Sequence, residues 1–430
     1  MRWLGSSRCA SHDAVDDIAL TTLLLLKSRP VQEDVEGGRL RRFRGGVEEA
    51  TTYCRALHEG LTRSPGDPKL KDARIHLWRG QGNDAYWHGV FGGCYLPHLR
   101  RGVKQALISA ERRLEESLPE GAIRWSDDDI NGDGRVEVLV QTAVLTLVLN
   151  PESGGSLTEI AYVPGDLDLA DVFSRRPEAY HAKVRVAITS SAEEETKTIH
   201  DRLTSREAGL EMEITYDRFR RGSLLDGLFP DGGRLEPLEP WASALFSLGG
   251  RRMGHRVGES ADCVSIVFYT ENPDGWPISI EKRIQVRSAE SVIRVSYRLG
   301  WMGPAPISAR WAVQWNLALT AGDAPDRFYQ LPGRPTLGSR GEINDRRSLG
   351  LVDEWANCAV TLDWGRPAQV GWAPVETVSN SELGFERIYQ GSALLLAWPV
   401  SLAPGETWEE QIVMAIGDAR RGDEQAPDPR

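Results

Sequence analysis

The sequence lacks an apolar run long enough to cross a bilayer, and it lacks a basic leader. Its one long apolar run, "ALTTLLLLK" from Ala19 to Lys27, is far shorter than the ~20 residues that a transmembrane helix needs. The residues just before this run are Asp16 and Asp17, whereas a signal peptide carries positive charge there. We therefore expect no membrane partner.

Positive charge and paired cysteines are also scarce. The formal net charge of -11 and the pI near 5.4 exclude the basic surface that neutralises phosphates, so we expect no nucleic-acid partner. The cysteines are odd in number, form no CxxC pair and have no metal-like spacing to histidine. They are predicted to be reduced thiols in a cytoplasmic protein: Cys9, Cys54, Cys94, Cys263 and Cys358.

The common catalytic motifs are missing from the sequence. It contains no GxSxG elbow, Walker loop, HExxH helix or GxGxxG after a strand. Glycoside chemistry needs two facing carboxylates, but 62 acidic residues make a pairing argument from composition uninformative. We therefore expect no required cofactor and infer no nucleophile from motifs.

Tryptophan is unusually abundant, with 14 residues against nine phenylalanines. Indole rings stack on the flat C–H faces of sugars, and they also fill large β cores. The composition therefore favours carbohydrate binding only modestly.

The apolar periodicity changes once along the chain. Between Gly46 and Leu118 it is helical, and after Pro119 it becomes short alternating runs typical of strands. This predicts an α+β multidomain protein in which a three-helix bundle-like domain precedes a large antiparallel β-sandwich. The predicted parts are a disordered lead at 1–37, the helical domain at 38–118, the sandwich at 119–417 and a disordered tail at 418–430.

The segment "QGNDAYWHGVFGG", from Gln81 to Gly93, combines an acid, an imidazole, three aromatic rings and glycines. If the segment is helical, Asp84, Trp87 and His88 share one face. Such a face can form a pocket wall, or it can be a packed corner whose polar groups are satisfied.

The loop "DINGDGRVE" places oxygen-bearing side chains at alternate positions, which can direct them at a hard cation such as calcium. The candidate ligands are Asp129, Asn131, Asp133 and Glu137. The loop is not an EF-hand, because Val140 occupies the twelfth position. The alternative is an Asp/Asn/Gly turn that starts a strand.

Two further segments have a catalytic and a structural interpretation. Glu178 and His181 in "RRPEAYH" could form an acid/base pair or carry incidental charges in a surface loop. "NSELGFERIYQG", which contains Glu386, Arg387 and Tyr389, fits a β-hairpin with an exposed ion pair.

The run "NDAYWHGVFGGCYLPHLRR" closely resembles the fifth conserved region and following helix of family-57 glycoside hydrolases, in the 4-α-glucanotransferase and α-amylase-like branch. Later segments, including "YDRFRRGSLLDGLF" and "TVSNSELGFERIYQG", resemble the C-terminal sandwich of that branch. The resemblance covers roughly residues 40 to 417.

The resemblance implies retaining cleavage or transfer of α-1,4-glucans, by a barrel that carries a Glu nucleophile and an Asp acid/base. It implies a galactose-mutarotase-like sandwich, and it places Asp84 and Trp87 at the sugar-binding site. It implies α-glucan (maltooligosaccharide, starch or glycogen) as the ligand. No position matches the motifs of the two catalytic carboxylates, so we expect a C-terminal half that is not catalytic alone.

Three hypotheses follow. The chain could work with a separately encoded catalytic barrel, it could be a stand-alone carbohydrate-binding protein, or, by fold analogy alone, it could be an aldose epimerase. If the barrel is absent, the surface that normally meets it should expose apolar side chains. The side chains expected there are Trp78, Trp87 and Phe91.

Overall fold

The structure is a computed structural model of the 430-residue chain. It describes residues 71–86, 92–115, 121–131, 133–186, 209–232, 235–381 and 384–419. The predicted helix at 47–61 lies outside these residues, and the predicted domain boundary at 118–119 falls in one of the gaps. The domain limits therefore stay predictions.

Two long helices precede the strands. Helix α1 spans Lys71–Gly80 and helix α2 spans Pro97–Glu115, with Pro97 at the first position, where its missing N–H costs nothing. The helices approach closely at Gly80, where an added Cβ would lie 2.5 Å from a methyl of Leu107. Two short helices follow, α3 at His181–Val186 and α4 at Leu210–Glu213.

The first sheet has five strands that pair antiparallel in chain order. Their bounds are β1 Arg124–Asp128, β2 Glu137–Gln141, β3 Leu145–Asn150, β4 Ser156–Tyr162 and β5 Leu167–Asp168. Ile108 of α2 packs against Ala161 and Val163 on this sheet. Helix α2 therefore lies between α1 and the five-stranded sheet.

The second sheet has twelve strands, also antiparallel, in the order β7-β6-β12-β16-β15-β17-β11-β10-β9-β8, with β14 on β15 and β13 on β14. Their bounds are β6 Leu225–Pro230, β7 Phe246–Ser247, β8 Gly254–Ser260, β9 Cys263–Glu271, β10 Ile278–Arg287, β11 Val292–Trp301, β12 Ile307–Leu317, β13 Arg327–Tyr329, β14 Gly341–Asp353, β15 Cys358–Ser381, β16 Gly384–Leu402 and β17 Thr407–Gly417.

The main hydrophobic core lies between the two sheets. Val138 and Leu147 of the five-stranded sheet belong to the same buried cluster as Ile284, Val295 and Trp311 of the larger one. Two antiparallel sheets that bury a shared apolar face form a sandwich. The prediction of helices followed by a large antiparallel β-sandwich is confirmed.

Strand β12 is buried on both faces. Trp311 and Trp315 belong to the main core, as the alternation in the sequence predicts. On the other face, Gln314 and Asn316 are fully buried. Their side-chain amides donate to the carbonyls of Pro237 and Gly222, so burial does not leave these donors without partners. Chain on both sides of β6, at Gly222 and at Pro237, covers the face that alternation alone assigns to solvent.

Most of the described tryptophans are core residues. Of the twelve, eight are buried: Trp241, Trp301, Trp311, Trp315, Trp364, Trp372, Trp398 and Trp408. Trp78 and Trp276 are half-buried. Trp125 and Trp355 are exposed, at 38% and 76%. For the described tryptophans the abundance therefore reflects packing in the core, and among them only Trp355 presents most of its surface to solvent.

Within the ranges given above, no helix combines the length and the apolar character needed to cross a bilayer. The described cysteines Cys94, Cys263 and Cys358 are free thiols.

Candidate functional site

Asp84 lies in a single 3₁₀ turn, Asn83–Tyr86, just after α1. Ala85 and Tyr86 point inward, and the Tyr86 hydroxyl donates to the carbonyl of Gly80 at 2.5 Å. Asp84 is exposed, so its carboxylate is accessible from solvent. Trp87, His88 and Phe91 lie outside the described residues, and the predicted sugar-binding role of Asp84 and Trp87 stays a prediction.

A glycine turn leads from this segment into α2. Gly92 has a φ of 99°, in the left-handed region that favours glycine, and a Cβ there would also lie 2.8 Å from the side chain of Leu96. The turn buries Tyr95 against Phe173, with ring centroids 4.8 Å apart. The end of the 81–93 segment is thereby fixed to the sandwich.

Tyr95 and Arg176 both bind the carboxylate of Glu178. The Tyr95 hydroxyl donates to Glu178 Oε1, and Arg176 Nε donates to the same oxygen at 3.1 Å. Burial raises the pKa of Tyr95, so its phenol stays a proton donor. The Glu178 charge is compensated inside the fold.

His181 has partners at both ring nitrogens. Its Nε2 lies 3.1 Å from the carbonyl oxygen of Val378, which can only accept, so Nε2 carries the proton. Nδ1 accepts from the backbone N–H of Glu178 at 3.2 Å and lies 3.2 Å from the Tyr216 hydroxyl. His181 is 6% exposed. The surface-loop interpretation is therefore wrong, and the contacts favour a buried anchor over an acid/base pair.

A second ionic cluster was not identified from the sequence. Asp217 accepts from Arg175 Nη2 and Arg221 Nη2, both at 2.6 Å, and Glu239 Oε1 lies 2.8 Å from Arg175 Nη2. Burial opposes ionisation of Asp217, but Arg221 and Arg175 overcome it and lower the pKa to about 2. The dense charges of "YDRFRRG" were the available signal, although sequence spacing does not place Arg175 or Glu239 beside them.

Burial and the neighbouring Asp217 raise the pKa of Glu239 to about 7. Burial of the Glu239 carboxyl is the largest cause, and a second negative charge beside Asp217 is also unfavourable, while Arg221 and Arg175 oppose the increase in pKa. The cluster can hold one proton near neutral pH. Its four side chains join Arg175, Asp217 and Arg221 to Glu239, which lies in the chain that covers β12.

The predicted hairpin at 380–391 is present, since β15 and β16 pair from Ser381 opposite Gly384. Arg387 Nη1 lies 3.5 Å from Glu376 on the neighbouring strand. Glu382 of the same segment lies outside the described residues. The hairpin interpretation agrees with this geometry.

The loop proposed for calcium is closed by its own hydrogen bonds. Asp129 Oδ1 and Oδ2 accept from the backbone N–H groups of Asp133 and Gly134, at 2.9 and 3.0 Å. Asn131 Nδ2 donates to Glu137 Oε1 at 2.7 Å. These bonds are typical of an Asp/Asn/Gly turn that starts β2.

Among the described residues, no group of three or more His, Cys, Asp or Glu side chains is arranged to hold a metal ion. The side-chain oxygens of Asp129 and Asn131 already accept from backbone donors. The geometry favours the turn, and calcium binding at Asp129, Asn131, Asp133 and Glu137 stays a prediction.

Comparisons with known proteins identify two matched regions. Residues 129–412 match the model described as "Alpha-amylase/4-alpha-glucanotransferase, C-terminal", and residues 48–114 match the model of the middle domain of the same proteins. The second match ends one residue before the end of α2, and the first begins at the proposed calcium loop.

Individual relatives carry corresponding names. "Alpha-amylase 1" of Dictyoglomus thermophilum is 32% identical over 88% of this chain and 54% of the relative. The 4-alpha-glucanotransferase of Thermococcus litoralis is 29% identical over 76% of this chain and 46% of the relative. The chain spans about half the length of the curated relatives it matches.

A solved structure shows the same architecture. The crystal structure of the Thermococcus litoralis 4-alpha-glucanotransferase aligns with 86% of this chain and 49% of its own, at 22% identity and a TM-score of 0.62. A galactose mutarotase-like protein from Clostridium acetobutylicum also aligns, at 8% identity and a TM-score of 0.42. The first alignment extends over helices and sandwich together.

Proposed function

We propose, since the chain belongs to the alpha-amylase/4-alpha-glucanotransferase family, that it binds α-1,4-linked glucans such as maltooligosaccharides, starch or glycogen. The observation that carries this proposal is the family match over 284 residues of the sandwich, from 129 to 412. Relatives named alpha-amylase and 4-alpha-glucanotransferase support it.

The proposed glucan contact near α1 is formed by Asp84 and Trp87. Asp84 is exposed on its 3₁₀ turn, so its carboxylate can accept hydrogen bonds from sugar hydroxyls. An indole at position 87 would supply a stacking face. The resemblance in sequence around "NDAYWHG" supports this assignment.

We further propose that the chain is not catalytic alone and that a separately encoded barrel supplies the nucleophile and the acid/base. Retaining glycoside chemistry needs both groups. Supporting this, Glu178 and His181 are held by Tyr95, Arg176 and the carbonyl of Val378. Their hydrogen-bonding groups serve the fold.

A cytoplasmic location is also proposed. The thiols of Cys94 and Cys358 are buried and unpaired. Burial raises the pKa of Cys358 to about 12, so that thiol resists oxidation.

Affinity electrophoresis in gels containing amylose or glycogen tests glucan binding. The chain should be retarded relative to its mobility in a gel without glucan, and Asp84→Asn and Trp87→Ala should each reduce the retardation. Equal mobility of the unaltered chain with and without glucan would refute the proposal.

Mixing the chain with an independently expressed family barrel tests the partner. We expect no release or transfer of glucose units from maltoheptaose by the chain alone, and disproportionation by the mixture. Retardation in the glucan gel without activity of the mixture would support a stand-alone carbohydrate-binding protein instead.

A further inference from the structure

A cleft lies where the first turns of α2 face the turn between β14 and β15. Its charged lining comes from three parts of the chain: Arg100, Arg101 and Lys104 of α2, Asp168 and Asp171 in and after β5, and Asp353 at the end of β14. Arg100 and Arg101 belong to the run that resembles the family's fifth region and following helix, but the resemblance implies no role for them. The proposed contact near Asp84 does not include this cleft.

Most of the lining groups have protein partners that fix their positions. Arg100 Nε lies 3.0 Å from Asp171 Oδ1, and Lys104 Nζ lies 3.1 Å from Asp168 Oδ2. Asp353 Oδ2 accepts from the backbone N–H of Thr320 at 2.7 Å. The cleft is therefore shaped in advance, which lowers the entropy cost of binding a ligand.

Arg101 differs from these neighbours. It is half-buried in the cleft, and within the described ranges no acceptor lies within hydrogen-bond distance of its guanidinium. The carboxylates of Asp353 and Asp171 act on it electrostatically without contacting it. Its guanidinium carries five N–H donors and belongs to a residue that lines the cleft, so these donors can serve a ligand.

Trp355 lies in a turn that borders the cleft through its neighbour Ala356. It occupies the β14–β15 turn, next to Ala356, which lines the cleft, and 76% of it is exposed. The Arg327 guanidinium lies 5.5 Å from the ring centroid, and Arg327 Nε donates to Thr320 Oγ1 at 2.8 Å. The indole is thus supported from one side while most of its surface stays open.

The charges and the indole together select a class of ligand. The three cations of α2 in the cleft are balanced by Asp168, Asp171 and Asp353, so a phosphate or nucleotide would meet as many carboxylates as cations. A purely apolar ligand would leave the donors of Arg101 unsatisfied. A neutral polyhydroxylated sugar uses donors and acceptors together and stacks on an exposed indole.

We propose that this cleft is a second α-glucan contact site, in which Trp355 stacks on a sugar ring and Arg101 donates hydrogen bonds to sugar oxygens. The proposal rests on the proposed glucan-binding function and assigns that function a second position, between α2 and the sandwich. A glucan that reaches both Asp84 and this cleft would gain affinity from two linked contacts.

Dissociation constants for maltoheptaose and amylose, measured by affinity electrophoresis and calorimetry on the full chain, test the proposal. Trp355→Ala and Arg101→Gln should each weaken binding by roughly fivefold or more, since each removes one contact. Trp125→Ala is the matched control, because Trp125 is the other exposed indole of the described chain and lies on β1. Both cleft variants change exposed or half-buried groups, so thermal unfolding should confirm that they fold.

The outcomes separate this proposal from the one on which it rests. Binding by the unaltered chain that is weakened by Trp355→Ala and Arg101→Gln, but not by Trp125→Ala, supports the cleft. Binding that both cleft variants leave unchanged overturns the cleft and leaves the proposed function standing. An equal loss in Trp125→Ala also overturns it, and absence of binding by the unaltered chain overturns both proposals.

Discussion

Two charged regions of the molecule differ in how completely the protein uses their hydrogen-bonding groups. In the core, Lys282 of β10 pairs with Asp226 of β6, both fully buried, and the Tyr297 hydroxyl donates to Asp226 Oδ1 at 2.8 Å. In the cleft beside α2, Arg101 has no protein acceptor within the described ranges, and Trp355 is mostly exposed. Charged and aromatic side chains occur in both regions, but only in the core are their polar groups fully used in contacts within the protein.

On the proposal above, unused donors, more than charge itself, distinguish the cleft from the structural ion pair. Lys282 Nζ also donates to the carbonyl of Leu224 at 3.0 Å, so the ammonium is satisfied by the fold. A ligand could add nothing there. Breaking the core pair should therefore change stability, and altering the cleft should change binding.

The largest effect is expected from Lys282→Met, because it leaves the Asp226 carboxylate buried without a cation. Removing one partner of a buried pair typically costs about 3–5 kcal/mol of unfolding free energy. Urea unfolding followed by circular dichroism measures it. The double variant Lys282→Met, Asp226→Leu should recover part of the loss, and a single variant as stable as the unaltered chain would contradict this account.

The second prediction compares two tryptophans. Trp315→Ala empties a fully buried position in the main core and should cost about 3–5 kcal/mol, whereas Trp355→Ala removes an exposed side chain and should cost no more than about 0.5 kcal/mol. Urea midpoints of the two variants give the comparison. A large loss of stability in Trp355→Ala would show that its turn is part of the fold and would weaken the binding-site proposal.

The third prediction concerns the ionic cluster around Asp217. The Asp217 side chain is buried, and the Glu239 side chain is partly exposed to solvent. The pKa of Asp217 is lowered from 3.8 to about 2, so its ionised form stabilises the folded state above pH 4. This contribution, about 2 kcal/mol, is lost as the pH falls from 4 to 2. Unfolding free energies across that range should decline less steeply in Asp217→Asn, and identical pH profiles would refute the assignment.

The helices and strands were predictable because their periodicities are local. Leu107 and Ala110 repeat at helical spacing in α2, and Trp311 and Trp315 alternate in β12. Burial of these residues follows from the pattern whatever their partners are. Alternation failed for the far face of β12, because a distant segment covers it.

The ionic sites depended on contacts that no local pattern contains. Lys282 interrupts the apolar row of β10, a visible signal, but its partner Asp226 lies in another strand, 56 positions earlier in the sequence. Arg101 and Ala356, the neighbour of Trp355, line one cleft only because α2 lies against the sandwich. The residues near Asp84 were predicted to bind sugar from the family resemblance. Their spacing in the sequence does not by itself indicate that function.

The smallest effect is expected at the loop from Asp129 to Glu137, which resembles the core pair in that its oxygens already have donors. Because Asp129 accepts two backbone N–H groups without a metal, millimolar calcium should shift the melting temperature by no more than about 1 °C relative to EDTA. Calorimetric melting of the chain and of Asp129→Asn measures this. A rise of several degrees in the melting temperature that Asp129→Asn abolishes would instead establish the predicted calcium site. The loop would then resemble the proposed cleft, because its polar groups would bind a ligand as well as the protein.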